Sequence, residues 1–349
     1  MSSGNENRLT ARRGLPSILK DTHILTIVGL MLLVAIIMLL LNPDGFFSGR
    51  NLRSMIFQFP EYGILSLGMM ACMIAGGIDL SLVGIMNLSG VLAALIVKNL
   101  VLVEDGVVAN PGMVIPAILL AVVVAIVTGA ACGAFNGFII GYFGLPAMLV
   151  TLCGLQLYTG LAYGITGGPA VKGMCDAFKD IANGSIGGIP YVLFIFIAVV
   201  LVVVFIMKYT VFGHEIYFLG SNAKAAMYSG INTLKVTILT YMFSGILGGI
   251  SGILITSHLN SGKSTNGSTF TLLSLLIVVL GGVHPDGGKG RVAGVVLAVL
   301  LLQMIANSFS LMHISENAKN FANGCLLIAA LVLSVVLQRR AEKKAAAAS

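Results

Sequence analysis

Charge is what this sequence has least of. Of its 349 residues, 9% are Asp, Glu, Lys or Arg and 57% are hydrophobic, against roughly 25% charged in an average soluble domain. That composition excludes a soluble globular chain. Apolar runs long enough to cross a hydrocarbon core, about 20 residues of helix each, recur along the whole length. The chain reads as one membrane domain with no soluble domain attached. Cysteine is also scarce: Cys72, Cys132, Cys153 and Cys325 lie within apolar runs and Cys175 alone in a polar stretch, which argues against a disulfide framework and for packing roles. The five histidines, His23, His214, His258, His284 and His313, stand singly. With no i, i+4 pair and no H-E-x-x-H they offer no metal site and read as solvated loop residues. No Ser/His/Asp order suggests a nucleophile, and no phosphate-binding loop is complete. "SHLNSGKS" at 257 to 264 has Ser257 where the first glycine of G-x-x-x-x-G-K-[ST] belongs, and "DGGKGR" at 286 to 291 lacks the hydroxyl residue after its lysine. The chain is therefore expected to be no enzyme and to bind no metal or cofactor, with any energy supplied by another polypeptide.

What is present is a succession of ten apolar runs, at about 24 to 41, 55 to 75, 82 to 101, 113 to 135, 146 to 165, 190 to 207, 235 to 256, 270 to 282, 292 to 311 and 321 to 338. The eighth is short for a full crossing and reads as tilted, broken or partly re-entrant. Residues 1–23 form a polar, basic tail with no small-residue cleavage site after the run that follows, so the first run is expected to be a spanning helix rather than a removed signal. Residues 339–349 read as a basic, Ala-rich tail. Placing the N-terminus inside assigns 13 of the 20 Lys and Arg to inner segments, and the positive-inside rule then makes both termini cytoplasmic. The basic residues fall in loops and tails rather than along one face, so the net charge of +7 reflects membrane orientation and not nucleic-acid binding.

The sharpest interruption is "AGGIDLSLVG" at 75 to 84. An aspartate at the centre of a lipid-exposed helix costs on the order of 3 kcal/mol, so Asp79 should face protein, cavity or interface. Gly76 and Gly77 let the backbone leave helical geometry, and Asp79 or Ser81 can cap the next helix. This is either a capped turn near the interface or a broken helix lining a translocation route. A second cluster, "VLGGVHPDGGKG", carries Gly281, Gly282, Gly287 and Gly288 and echoes the first at a distance, which reads as two similar helix breaks. Glu61, Asn87, Asn136, Gln156, Gln303 and Asn307 fall within or close to apolar runs, and with Asp79 and Ser81 they are the candidates for a polar solute path. The competing reading of each amide is an interhelical hydrogen bond.

The inner loop at about 208 to 234 contains "NAKAAMYSG", a short helix capped by Ser221 or Asn222 and stopped by Gly230. Ala223, Ala225, Ala226 and Met227 form its apolar face, with Lys224 in water. It reads as an interfacial helix or as a docking element for a partner.

"GGIDLS", "GSNAKAAMYSGINTLKV" at 220 to 236 and "VVLGGVHPDGGKGRVAGVVLAVL" at 278 to 300, taken together and in that order, resemble the ribose/xylose/galactose-type permeases of bacterial ABC importers, in the wider family shared with branched-chain amino-acid permeases. The resemblance runs from about residue 50 to 338. The family more often has "DLSVG" where this chain has the longer "DLSLVG", and His284–Asp286 introduces "HPD" into the second cluster. The resemblance implies an all-α, ten-helix permease of the vitamin-B12-importer type (type II) in a bacterial cytoplasmic membrane, with residues 24–338 as the permease domain. It also implies pairing with a second permease chain, identical or related, and with ABC ATPase subunits that hold ATP and Mg. An extracytoplasmic solute-binding protein completes the set, the inner-loop helix couples to the ATPase, and the solute is a monosaccharide or similar small polar molecule. Alternatives within the same scaffold are a nucleoside, autoinducer or branched-chain amino-acid permease. An ion-coupled secondary transporter would use Glu61 and Asp79 as proton or cation sites, and a structural membrane partner would have no path at all.

Overall fold

The computed structural model describes residues 22–346 apart from 102, 105, 106 and 109. The expected N-terminal tail, up to residue 21, lies outside the described residues, as do residues 347–349. The chain is helical: α1 (Thr22–Leu41), α2 (Pro43–Phe46), α3 (Gly49–Ile74), α4 (Leu82–Leu100), α5 (Val114–Phe143), α6 (Ala147–Thr166), α7 (Asp176–Asn183), α8 (Tyr191–Tyr209), α9 (Val211–Ser221), α10 (Ala223–Tyr228), α11 (Thr233–Leu259), α12 (Phe270–Leu280), α13 (Val292–Leu311) and α14 (Glu316–Ala346). Three antiparallel pairs of two-residue strands decorate the loops. Each of the ten apolar runs falls on a helix. Among the described residues, seven helices are long and apolar enough to cross a membrane: α1, α4, α5, α6, α8, α11 and α13. The long helices α3 and α14 carry charged residues at one end, Arg50 and Arg53 in α3 and Arg339 to Lys344 in α14. The basic C-terminal stretch, expected as a tail, thus continues α14 as far as Ala346.

Helices α4 and α11 are the centre of the bundle, each 72% buried, whereas α1 is 17% buried and presents a hydrocarbon-facing row that includes Leu32, Leu40 and Leu41. Against α11 lies α5, whose contact side repeats a small residue every fourth position: Ala117, Ala121, Ala125, Gly129, Gly133, Gly137 and Gly141. That spacing keeps small side chains on one face of a helix of 3.6 residues per turn. The helices then touch backbone to backbone. A Cβ on Gly129 would overlap the Gly245 carbonyl, one on Gly133 the Tyr241 carbonyl, and one on Gly137 would lie 2.7 Å from the Ile238 Cα. In a lipid solvent, where burial of apolar side chains drives nothing, such close packing is a main source of helix association.

The short helix α12 spans about 16 Å at 1.5 Å per residue, half of a ~30 Å hydrocarbon core. The segment before it is irregular. From the end of α11 it folds back alongside α4, with Gly262 against Val91 and Ala94 and the Ser264 carbonyl accepting a 2.8 Å bond from Asn87 Nδ2. Phe270, the first residue of α12, meets Tyr62 edge to face with ring centroids 5.6 Å apart. The eighth run is thus a short helix preceded by irregular backbone that is packed against protein, as hydrocarbon requires.

Two cysteines depart from expectation. Cys72 and Cys175 are buried and Cys132 is half-buried, but Cys153 and Cys325 are exposed, so these two face away from the bundle rather than pack within it. All five are free.

Gly133→Ala should destabilise the folded protein by about 1–3 kcal/mol, the usual cost of overpacking, because neither backbone at the α5–α11 contact can yield. Thermal unfolding in detergent followed by size-exclusion chromatography checks this, with Gly160→Ala, which meets nothing within 4 Å, as the neutral comparison.

Candidate functional site: two helix breaks and a buried carboxylate

Helix α3 ends in a Schellman arrangement: Gly76 adopts φ +89°, its N–H bonds to the Met73 carbonyl, and the Gly77 N–H reaches back to the Cys72 carbonyl. Only a residue without Cβ takes this left-handed position at low cost. Helix α12 ends in the same way. Gly282 has φ +80° and bonds to the Val279 carbonyl, while the Val283 N–H bonds to the Val278 carbonyl. The echo between the two glycine clusters is therefore a repeated piece of geometry.

Past the first break, Asp79 is fully buried and its carboxylate receives three hydrogen bonds. Oδ1 accepts from Ser81 N at 3.1 Å and Ser81 Oγ at 2.6 Å, and Oδ2 accepts from Ser244 Oγ on α11 at 2.8 Å. The network extends outward. Asn136 Nδ2 on α5 donates to Ser81 Oγ at 2.8 Å, and the Tyr158 hydroxyl on α6 donates to Asn136 Oδ1 at 2.8 Å. Asp79 thus faces protein, and it joins α4, α5, α6 and α11 at one level. The capping expectation needs correction. Ser81 sits at the N-cap of α4 without a side-chain cap bond, because its hydroxyl is spent on Asp79. Asp79 in turn closes a local turn onto Ser81 N rather than capping the helix interior. Glycines make room for the network: a Cβ on Gly154 would lie 3.1 Å from Asn136 Oδ1, and one on Gly84 would lie 2.8 Å from the Leu155 carbonyl.

A second group joins the middle of α3 to the last turn of α11. Glu61, directly after Pro60 within α3, pairs with His258 Nδ1 at 2.5 Å, and Ser251 Oγ donates to the Glu61 carbonyl at 2.7 Å. Next to it the Tyr62 hydroxyl donates to Gln303 Oε1, and Gln303 Nε2 donates to Gln58 Oε1 at 3.3 Å. His258, Gln58, Asn183, Arg50 and Arg53 border a cavity of roughly 480 Å³. His258 is accordingly not a solvated loop histidine: it lies in the last turn of α11, half-buried, with an acid partner. His284 also has a partner, with Asp286 at 3.8 Å. The helix α7 clamps the same end of α11, its Ala182 N–H donating to Ser257 Oγ at 3.0 Å.

The solute-path candidates fall into separate places. Asp79, Ser81 and Asn136 form one network; Glu61 and Gln303 belong to the second group; Asn87 holds the re-entrant segment; Asn307 is buried on α13 with Nδ2 unpaired. Gln156 alone is exposed, on α6, where Leu157, Gly160, Leu161, Gly164 and Ile165 share its groove of roughly 490 Å³. Sequence reasoning missed Ser244, Tyr158, Tyr62 and His258, all 20 or more residues distant in the chain from the partners given above or masked as ordinary helix residues.

The inner loop folds into α9 and α10 with Asn222, not Ser221, as the cap of α10: Asn222 Oδ1 accepts from Ala225 N at 3.0 Å. Ser221 Oγ donates to the Tyr217 carbonyl at 2.7 Å. Gly230, at φ +84°, ends α10. The expected apolar face is not a single face. Ala226 is buried against its own chain, whereas Ala223, Lys224, Ala225, Met227 and Tyr228 are exposed.

Asp79→Ala should leave the Ser81 and Ser244 hydroxyls without their acceptor, at about 1–3 kcal/mol for each buried group left unsatisfied. Asp79→Asn, which keeps an acceptor oxygen, should retain more folded protein than Asp79→Ala in a detergent thermal-shift comparison.

Residues 51–331 match the family described as branched-chain amino acid transport system / permease component. The chain is 32% identical over 309 residues to a ribose import permease protein of Haemophilus influenzae, covering 87% of this chain and 90% of that one. It is 31% identical over 312 residues to a ribose import permease protein of Escherichia coli strain K12, covering 88% and 92%. It is 26% identical over 316 residues to an L-arabinose ABC transporter permease protein of Azospirillum brasilense, covering 90% and 89%. No solved structure matches. With a family match over residues 51–331 and relatives above 30% identity over nearly the whole chain, the chain belongs to the branched-chain amino acid transport system / permease component family.

Proposed function

We propose that the chain is the non-catalytic membrane subunit of an ATP-driven importer, passing a monosaccharide of the ribose or arabinose kind across a bacterial cytoplasmic membrane with both termini inside. The similarity to ribose and arabinose permeases over nearly the whole chain carries this reading. The ten helices correspond to the type II, vitamin-B12-importer arrangement, with residues 24–338 as the permease domain. The exposed α10, with Met227 55% and Tyr228 84% exposed at its tip, is the element that docks on an ABC ATPase subunit. Such side chains at the end of a capped helix suit insertion into a partner's groove. The ATPase would hold ATP and Mg, and this chain needs neither. A solute-binding protein delivers the sugar at the opposite end of the bundle.

The exposed face of α6 supports pairing with a second permease chain. Gly160 and Gly164 meet nothing within 4 Å, and a glutamine facing hydrocarbon is unfavourable unless another helix or water covers it. A second chain laid on this face would place Gln156 at the junction, where the solute passes between two permeases. An ion-coupled transporter built on Glu61 and Asp79 is less well supported, since Asp79 accepts three hydrogen bonds from its own chain and is sealed from solvent.

Affinity purification of the tagged chain from its native membrane, with mass spectrometry of what copurifies, tests the assignment. An ATPase subunit and a binding protein that takes up D-ribose or L-arabinose are expected. Recovery of the chain alone, with uptake driven by an ion gradient in ATP-free vesicles, would overturn it. Within the complex, Met227→Arg should leave the permease folded but reduce ATPase copurification. Ala226→Arg should instead lower the yield of folded permease, because it forces a guanidinium into a closed site at several kcal/mol.

A further inference from the structure

The two glycine clusters meet, and they meet at the root of α10. Three segments converge backbone to backbone: the end of α3 with Gly76, the end of α9 with Gly220 and Ser221, and the loop 284–290 that follows α12. Gly288 N–H donates to the Ile74 carbonyl at 2.8 Å, and the Tyr217 hydroxyl of α9 donates to the Gly290 carbonyl at 2.9 Å. A Cβ on Gly287 would lie 2.8 Å from the Gly76 Cα and 2.9 Å from the Gly220 carbonyl oxygen. One on Gly220 would lie 2.6 Å from Gly288 N and overlap the Ile74 carbonyl, and one on Gly288 would lie 2.6 Å from Ser221 Oγ. Both helix breaks are thereby pinned to the same point of α9. Asn222, which caps α10, is the next residue after that contact.

We propose that this glycine junction is the joint through which displacement of α10 reaches both helix breaks at once, with Gly220, Gly287, Gly288 and Tyr217 as its positioning residues. The proposal rests on the permease reading, in which α10 is the element an ATPase moves. Backbone packed on backbone has no side chain to rotate and absorb a shift, and packed interfaces switch between arrangements rather than deform continuously. A push on α10 therefore moves Ile74 and the loop 284–290 together. On the α3 side, five residues beyond Ile74 is Asp79, which bonds Ser81 at the start of α4 and Ser244 on α11, with Asn136 of α5 bonded to the same Ser81. On the other side the loop leads directly into α13. The junction explains why the sequence carries similar glycine clusters at two distant places: each ends a helix in the same geometry and delivers its next backbone atoms to one contact.

The test uses the complex of the chain with its ATPase subunit in lipid nanodiscs, carrying Cys153→Ser and Cys325→Ser to remove the exposed thiols and Ile78→Cys as reporter of the first break. The readout is the rate of maleimide labelling with and without ATP and vanadate, which needs no knowledge of the solute. The parent complex should change its labelling rate when ATP and vanadate are added; no change there would overturn the proposal. Gly287→Ala should retain the ATPase subunit and its ATP hydrolysis while losing the labelling response, and a full response in that variant would overturn the proposal. Gly29→Ala, whose added methyl meets nothing within 4 Å, should respond like the parent. If Gly287→Ala fails to assemble, Tyr217→Phe decides: it preserves the space and removes the bond to Gly290, so a weakened response supports the joint and an unchanged one overturns it. Failure of the parent chain to copurify any ATPase would count against the function proposed above, and is a result distinct from these.

Discussion

Everything at the centre of this permease depends on how closely α5 and α11 approach. Their backbones touch at Gly129, Gly133 and Gly137 against Gly245, Tyr241 and Ile238, and side chains of ordinary size on either helix would separate them. Ser244 and Asn136 sit beside those contacts. The close approach is what lets two short polar side chains, one from each helix, reach the turn between α3 and α4. Had the helices been held apart by leucines, the Asp79 carboxylate would have no donor from α11 and Ser81 none from α5. In hydrocarbon, neither could turn to water instead.

The buried carboxylate therefore works as a fastener. A lone ionised group in a low-dielectric interior is strongly penalised, and three hydrogen bonds from hydroxyl and backbone donors lessen that penalty. The Glu61–His258 pair ties the middle of α3 to the last turn of α11 in a comparable way, so α11 is bonded both to α3 and to the turn that follows it. Between the ties, packing is apolar and close: a Cβ on Gly68 would lie 3.2 Å from the Ser244 carbonyl. Rigidity along α3 and α11 leaves the glycine-ended breaks as the places where the bundle can change shape.

Much of this was legible in the sequence, and the reason differs from element to element. The ten runs were legible because hydrocarbon thickness sets a minimum length that hydropathy detects. The shortness of the eighth run matches the eleven-residue helix α12. The breaks were legible because Gly-Gly followed by aspartate has few uses inside an apolar stretch. Partners were not. His258 is 197 residues from Glu61, and nothing local distinguishes it from His214, which bonds only to its own helix at Thr210. The four-residue repeat of Ala and Gly from 117 to 141 was visible in principle, but hydropathy treats small residues as weakly apolar and ignores their period. The short helix of the inner loop was placed correctly and its face was not, because a six-residue helix hung between two others buries whichever side its neighbours dictate. Here that is Ala226 alone.

The separation of the polar candidates carries the last step. A solute path through one chain would gather amides around a common space, yet Asn136, Asn87 and Gln303 are each spent on holding another part of the same chain. Gln156 is different: it is turned outward on a helix whose opposite side, at Thr151 and Tyr158, bonds into the bundle. Burial of the polar groups within the chain and exposure of one amide on a glycine-lined face point the same way. The fold spends most of its internal polarity on structure and leaves one amide, Gln156, turned outward. That division is the observation on which the proposed pairing of two permease chains across α6 rests.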